Sequence, residues 1–312
     1  MRVLRCAWIG LLLAISAVNV NAAAGSAKPR VALVMKSLAN EFFQTMQTGA
    51  EAHHRAHANK YELIATGIKD EIDTAGQIRL VEQMLARRVD VLVIAPADSK
   101  ALVPVVQSAV SRGVLVINID NRLDADALAE KRVKVPFVGP DNRAGAKLAG
   151  EYLAKQLKPG SKVGIIEGVP TTVNAQQRTL GFRDAMTVHG MSVIGVQSGE
   201  WELQKGYTVA AAMLREHRDL TALLCGNDTM ALGAASAVRS AGKSGKVKII
   251  GYDNIPAVEG LLSDGRMLAT VDQFASEQAV SAIDIALKAL AAKKSQDDLP
   301  TFSATRIALI TR

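Results

Sequence analysis

Residues 89–95 read VDVLVIA, a nearly unbroken run of apolar residues in which valine and isoleucine dominate. Such a run is typical of a β-strand that is covered on both faces, as in the middle of a parallel sheet. Helical spacing precedes it over Thr74–Ala86 and follows it over 99–112, and the next apolar run is Val114–Ile119. Because strands separated by helices pair in parallel, this region predicts an α/β fold.

The same alternation of strands and helices extends toward both ends of the chain. One open sheet of so many strands would be unusually wide, so we expect two doubly wound parallel-sheet lobes. The length of 312 residues also suits two domains of ordinary size. The further strands are predicted at 31–35, 61–65, 134–138, 162–166, 192–197, 221–225, 247–252, 268–272 and 305–310, and the further helices at 42–56, 142–156, 175–188, 203–216, 228–241, 255–263 and 276–292.

Residues 1–22 have the parts of a secretory signal peptide. Arg2 and Arg5 form a short positive region, Trp8–Val18 is apolar, and the segment ending at Ala22 offers the small residues that a signal peptidase reads. A transmembrane anchor, which is the alternative, needs about 20 apolar residues, and this run is shorter. We expect cleavage near Ala22, export to the periplasm, and a mature chain whose lone cysteine, Cys225, forms no internal disulfide.

The composition argues against several classes of protein. Apolar residues make up 49% of the chain and charged residues 21%, which leaves material for a core and excludes a disordered chain. The net charge of +7 is scattered and forms no run, so we expect no nucleic-acid partner. The one match to part of a phosphate-binding loop, GKS at 242–244, follows a helix and lacks the first glycine.

Polar side chains recur where the predicted strands end, which is where α/β sheets bind their ligands. A helix N-cap explains Asp98, Ser99, Asp141 and Asp228 when each is taken singly. As a set, the carboxylates, amides, guanidinium groups and aromatic rings at these ends supply what a polyhydroxylated ligand needs. They lie in the segments 36–43, 96–99, 120–122, 174–178, 226–228, 253–254 and 272–273, with Trp201 after the strand at 192–197.

These segments also carry a resemblance to a known family. In order along the chain stand SLANEFF at 37–43, APADS at 95–99, ID at 119–120, GPDN at 139–142, QRTLGF at 177–182, NDTMALGA at 227–234, GYD at 251–253 and ATVDQ at 269–273. Over residues 28–312 the chain resembles the periplasmic sugar-binding proteins of the ribose-binding type, the type I solute receptors of ATP-driven importers (ABC transporters).

The resemblance implies an architecture and a function. Two α/β lobes, 28–140 with 274–302 and 141–273 with 303–312, would be joined by a hinge of three crossovers and close on a monosaccharide or polyol. The protein would work with the membrane permease of the importer, without a cofactor and without catalysing a reaction. We expect a monomer.

Carried over by position, the resemblance places sugar contacts on both lobes. Carboxylates such as Asp120 and Asp253 accept from neighbouring hydroxyls, and aromatic rings cover the apolar C–H faces of a sugar. Core packing is the alternative for the phenylalanines and for Trp201, and a helix cap is the alternative for Asp253. The expected contacts are Lys36, Asn40, Phe42, Phe43, Asp120, Asn121, Asn174, Gln176, Arg178, Trp201, Asn227, Asp253 and Gln273.

Four of these positions depart from the family patterns. Lys36 stands where ribose binders carry a small hydroxyl side chain, and Asn121 and Gln176 stand where they carry arginine. Asn174 stands where glucose-type receptors carry an acidic residue. The amine of Lys36 suits an acidic sugar, or a cluster of hydroxyls that needs an additional hydrogen-bond donor. The alternative is that Lys36 points to solvent. The identity of the sugar therefore stays open.

Other functions need features that the sequence lacks. A glycoside-acting enzyme needs two carboxylates, one on each side of the glycosidic bond that it cleaves. Asp120 and Asp253 are the candidates for such a pair. His53 and His57 lie one helical turn apart but are more typical of a solvated face than of a metal site, so we expect no metal. A sugar-responsive repressor would carry a DNA-binding helix pair where this chain has its leader. A periplasmic sensor that presents the sugar to a chemoreceptor or histidine kinase is the alternative to transport.

Overall fold

The computed structural model describes residues 28–312, and the leader predicted at residues 1–22 lies outside this part of the chain. The described strands form two six-stranded sheets in which nearly all neighbours are parallel, so the predicted α/β class with two parallel-dominated sheets is confirmed. Among residues 28–312, no helix combines the length and the apolar character that crossing a membrane requires.

The first segment of the chain builds most of the N-terminal lobe. The short helix over residues 125–130 is missing from the predicted elements, because none of its side chains is buried and no apolar pattern marks it. The elements are β1 (Arg30–Ser37), α1 (Glu41–Ala56), β2 (Glu62–Ile68), α2 (Thr74–Ala86), β3 (Val91–Ile94), α3 (Val103–Ser111), β4 (Leu115–Ile119), α4 (Ala125–Glu130) and β5 (Phe137–Gly139).

The middle segment builds most of the C-terminal lobe. Its elements are α5 (Asn142–Ala154), β6 (Lys162–Glu167), α6 (Val173–Val188), β7 (Ser192–Ser198), α7 (Leu203–Glu216), β8 (Leu220–Cys225), α8 (Asp228–Ser240), β9 (Lys248–Ile250), a 3₁₀ turn (Pro256–Val258), α9 (Glu259–Ser263) and β10 (Ala269–Asp272). Its strands pair in parallel in the order β10-β9-β8-β6-β7.

The last segment contributes to both lobes. Helix α10 (Ala275–Ala291) packs on α1, and β11 (Phe302–Ala304) pairs with β5, so both belong to the N-terminal lobe. Strand β12 (Ala308–Thr311) pairs antiparallel with β10 at the edge of the other sheet. The single strand predicted at 305–310 is therefore wrong, because residues 305–307 connect two short strands of different sheets. The lobe boundary predicted between residues 302 and 303 falls inside β11.

Alternate residues of the central strands pack on opposite faces of each sheet. In β1, Leu33 and Met35 share a core with α1 and α10, whereas Ala32 and Val34 pack with α2 and α3. Because both faces are covered by helices, these strands are apolar throughout, and polar side chains accumulate at their ends. The sheet order, β11-β5-β4-β3-β1-β2 in the N-terminal lobe, brings the ends of β1, β2 and β4 to one edge.

Candidate functional site

A narrow polar cavity lies between the two lobes, at the carboxyl ends of their strands. Both lobes contribute to its wall, and every lining residue is less than a tenth exposed. The lining residues are Lys36, Asn40, Phe42, Phe43, Glu71, Asp120, Asn174, Arg178, Trp201, Asn227, Asp253 and Gln273.

Two of the contact residues expected from the sequence do not line this cavity. Asn121 is buried behind the wall, where its amide donates to the carbonyl oxygen of Pro96 at 3.0 Å. Gln176 is exposed, because α6 turns Asn174 and Arg178, one helical turn apart, toward the cavity and carries Gln176 on another face. The structure brings the other expected residues together.

Glu71 lines the cavity, and the sequence analysis missed it. The second strand was predicted to end at Ala65, but β2 continues to Ile68. Glu71 therefore lies in the loop that follows the carboxyl end of this strand. With the strand boundary placed correctly, the rule that selected the other residues would also have selected Glu71.

Lys36 lies between two carboxylates in the wall that the N-terminal lobe provides. Its Nζ is 3.5 Å from Asp120 Oδ2 and 3.7 Å from Glu71 Oε2, and the whole residue is 3% exposed. Asn40 Nδ2 donates to the other oxygen of Glu71 at 3.0 Å. Burial raises the pKa of Glu71, and the charge of Lys36 opposes this shift. The alternative in which Lys36 points to solvent is wrong.

Arg178 organises the wall that the C-terminal lobe provides. Its Nε donates to Asn142 Oδ1 at 2.8 Å, and its Nη1 donates to the carbonyl oxygen of Gly226 at 2.8 Å and to Asp253 Oδ1 at 3.3 Å. Gln273 Nε2 donates to the same oxygen of Asp253 at 2.7 Å. Burial raises the pKa of Asp253 to about 7, although Arg178 acts to lower it.

Three aromatic rings complete the wall. The Trp201 indole lies directly over Gly168, where an added Cβ atom would be 2.0 Å from two ring atoms, so only glycine allows this position. The rings of Phe42 and Phe43 meet edge to face with centroids 5.0 Å apart. Both phenylalanines belong to the hydrophobic core and line the cavity, so core packing and a place at the cavity are compatible.

Three lining residues have a positive φ angle, a backbone conformation that residues other than glycine rarely adopt. The φ angles are 60° at Asp120, 67° at Trp201 and 116° at Asp253. A left-handed residue of this kind costs on the order of 1–3 kcal/mol and persists where its surroundings fix it. Because such strain concentrates at functional sites, it supports the cavity as the working part of the molecule.

Four buried polar atoms of the lining residues have no hydrogen-bond partner among residues 28–312. They are Glu71 Oε2, Asp120 Oδ2, Arg178 Nη2 and Trp201 Nε1. An unsatisfied buried polar group costs about 1–3 kcal/mol, more where it is charged. Two of these atoms accept and two donate, which matches a ligand whose groups both donate and accept, as hydroxyls do.

The histidine pair singled out in the sequence lies away from the cavity. His53 Nδ1 is 3.0 Å from the Tyr61 hydroxyl, and its Nε2 is 3.2 Å from Asp284 Oδ1. The His57 ring bonds to the carbonyl oxygen of His53 at 2.9 Å. In the described part of the chain, no three His, Cys, Asp or Glu side chains form a group that suits a metal ion.

Known proteins resemble this chain over nearly all of its described length. The family described as periplasmic binding protein domain matches residues 31–294. The D-ribose/D-allose-binding protein of Pseudomonas aeruginosa is 61% identical over 284 residues, which are 91% of this chain and 89% of that protein.

Two solved structures share the fold. One is a solute-binding protein of an ABC transporter from Burkholderia multivorans, with a TM-score of 0.89, 62% identity, and coverage of 91% of this chain and 99% of that one. The other is a periplasmic solute-binding protein of an ABC transporter from Actinobacillus succinogenes, solved with bound D-allose. Its TM-score is 0.84 at 33% identity, with coverage of 91% of this chain and 98% of that one.

Proposed function

This chain belongs to the periplasmic binding protein family, and from that membership we propose that it captures a neutral monosaccharide, with D-allose and D-ribose as the first candidates. It is a solute-binding receptor of the ABC sugar-importer class. The two candidate sugars are those in the name of the Pseudomonas relative, and D-allose is the sugar bound in the Actinobacillus structure.

The observation that carries the proposal is the set of four polar atoms without a hydrogen-bond partner in the wall of a cavity that both lobes line. Two of them, Asp120 Oδ2 and Glu71 Oε2, contact only the charge of Lys36, at 3.5 and 3.7 Å. Asp120 Oδ2 and Glu71 Oε2 would accept from hydroxyls on the side of the N-terminal lobe. Arg178 Nη2 and Trp201 Nε1 would donate on the side of the C-terminal lobe. The indole and phenyl faces would cover the C–H surface of the ring.

The charges in the wall favour a neutral sugar over a sugar acid. Lys36 lies between the carboxylates of Glu71 and Asp120, and Arg178 already pairs with Asp253. An anionic ligand would have to compete with these carboxylates for the two cations, and its own charge would be buried beside theirs. The acidic sugar that Lys36 suggested at the sequence level is therefore the weaker candidate.

The two-lobed arrangement supports a clamp. Because sugar would touch residues of both lobes, it would stabilise the closed form over the open form. The hinge would be the three segments that join the lobes, at residues 140–141, 273–274 and 305–307. In our proposal the closed, loaded receptor delivers the sugar to the permease from the periplasm, as a monomer and without altering it.

Emission from Trp201 provides a direct test, since it is the lone tryptophan of residues 28–312. Adding D-allose or D-ribose should shift its wavelength or intensity at saturation, and D-glucuronate should leave it unchanged at the same concentration. The sugar recovered afterwards should be chemically unaltered. A response to D-glucuronate alone, or a product formed with turnover, would contradict the proposal.

A further inference from the structure

The N-terminus of α6 is capped by side chains from the opposite lobe. The backbone N–H of Val173 donates to Ser99 Oγ at 3.0 Å, and that of Asn174 donates to Asn121 Oδ1 at 3.2 Å. Ser99 and Asn121 belong to the N-terminal lobe, whereas α6 belongs to the C-terminal lobe. These two bonds therefore exist only while the lobes are together.

The helix has no cap of its own that could replace them. Thr172 occupies the N-cap position, but its hydroxyl donates backwards to the carbonyl oxygen of Val169 at 2.6 Å. By contrast, α5 of the same lobe is capped by its own Asp141, which accepts from the N–H of Ala144 at 2.9 Å. The first two N–H groups of α6 thus depend on the other lobe for protein partners, whereas the third, that of Ala175, donates to Asn174 Oδ1 of the same helix at 2.9 Å.

The two capping side chains are also hydrogen-bonded inside their own lobe. Asn121 Nδ2 donates to Pro96 O at 3.0 Å and to Ser99 Oγ at 3.2 Å, and both Asn121 and Ser99 are almost fully buried. Asn121 also directly follows Asp120, which lines the cavity. The same short loop therefore faces the cavity with Asp120 and α6 with Asn121.

The helix that receives these bonds carries two lining residues, Asn174 and Arg178. We propose that Ser99 and Asn121 are positioning residues that latch the closed lobes and set α6, and with it Asn174 and Arg178, against the sugar. Neither needs to touch the ligand. The proposal rests on the proposed function, because a latch between lobes governs binding only if sugar is clamped between them.

The test measures the rates of D-allose and D-ribose binding and release by the emission of Trp201. In Ser99→Ala and Asn121→Ala, release should be about fivefold faster, as the loss of one helix cap predicts, with little change in the association rate. The control is Asp124→Ala, which removes a cap bond to Ala127 N–H inside the N-terminal lobe. It should lower the melting temperature of the free and the sugar-bound protein alike and leave the release rate unchanged.

The outcomes separate the two proposals. If the wild-type protein binds sugar and Ser99→Ala releases it at the wild-type rate, the latch is overturned and the proposed function stands. If Asn121→Ala does not fold, the release rate of Ser99→Ala alone tests the latch, because this variant removes the bond from Val173 N–H to Ser99 Oγ, which spans the lobes. A wild-type protein that binds neither sugar overturns the proposed function and the latch with it.

Discussion

The position of Trp201 depends on the absence of a side chain at residue 168, and Gly168→Ala tests this dependence. An added Cβ would lie 2.0 Å from the Cε2 and Cζ2 atoms of the indole. Carbon atoms in contact settle at about 3.5–4.0 Å, so the rigid ring must move by about 1.5 Å or more. The ring lines the cavity, and moving it displaces both its face and its Nε1 donor.

The expected loss of affinity follows from the cost of overpacking. Inserting a methyl group into a packed site typically costs about 1–3 kcal/mol. Where that cost falls on the sugar-bound form, the dissociation constant for D-allose rises about fivefold to 150-fold. Calorimetric titration measures this change, and the emission maximum of Trp201 in the free protein should shift as the ring moves.

Gly195→Ala is the matched control for this substitution. Residue 195 lies in β7 of the same lobe, and a Cβ there meets nothing nearer than Met213 Cε at 3.9 Å, an ordinary contact. This variant should bind D-allose with wild-type affinity. Wild-type affinity and unchanged emission in a folded Gly168→Ala protein would refute the placement of the indole at the sugar.

Three further predictions concern charge, pH and closure. Glu71→Ala should weaken D-allose binding about tenfold by calorimetry, because it removes a buried acceptor and a partner of Lys36, whereas the exposed Glu82→Ala should have no effect. In the closed form, the free energy of unfolding should fall as pH rises from about 4 to about 7, since the native Asp253, with a pKa raised from 3.8 to about 7 by burial between the lobes, keeps a proton that the unfolded chain releases. Asp253→Asn should make that part of the profile less steep in denaturant titrations, although Glu71 and Asp228, whose pKa values burial also raises, still contribute to it. A profile as steep as the wild type would contradict this assignment. Small-angle scattering should give a smaller radius of gyration with saturating D-allose than without sugar, and an unchanged value would contradict closure, unless the free protein is already closed.

Sequence patterns predicted the fold and the polar strand ends because both follow from local rules, whereas the individual contact residues were expected from the family resemblance. Strands covered on two faces must be apolar throughout, so runs such as VDVLVIA at 89–95 identify them directly. Polar residues such as Asp120 and Asp253 then stand out at the strand ends. The other expected contact residues depended on the family resemblance, which extends over residues 28–312.

The errors arose where the decisive contact is remote in sequence or the signal is short. The end of β2 was placed three residues early, which hid Glu71. One strand was predicted at 305–310 in place of two, because nothing local shows that β11 and β12 pair with different sheets. The role of Asn121 depends on a helix that follows some 50 residues later, and only the folded chain shows that its side chain faces α6 and not the cavity.

The central claim is that one neutral sugar is held by both lobes at once. Calorimetric titration of D-allose and D-ribose into the wild-type protein, Asp120→Ala and Asp253→Ala tests it most directly, because each variant removes a carboxylate from a different lobe. We predict binding of one sugar per chain by the wild type and a loss of roughly tenfold to a hundredfold in each variant, the cost of a charge-assisted hydrogen bond. Wild-type affinity in either folded variant, or no heat from either sugar with the wild type, would contradict the account.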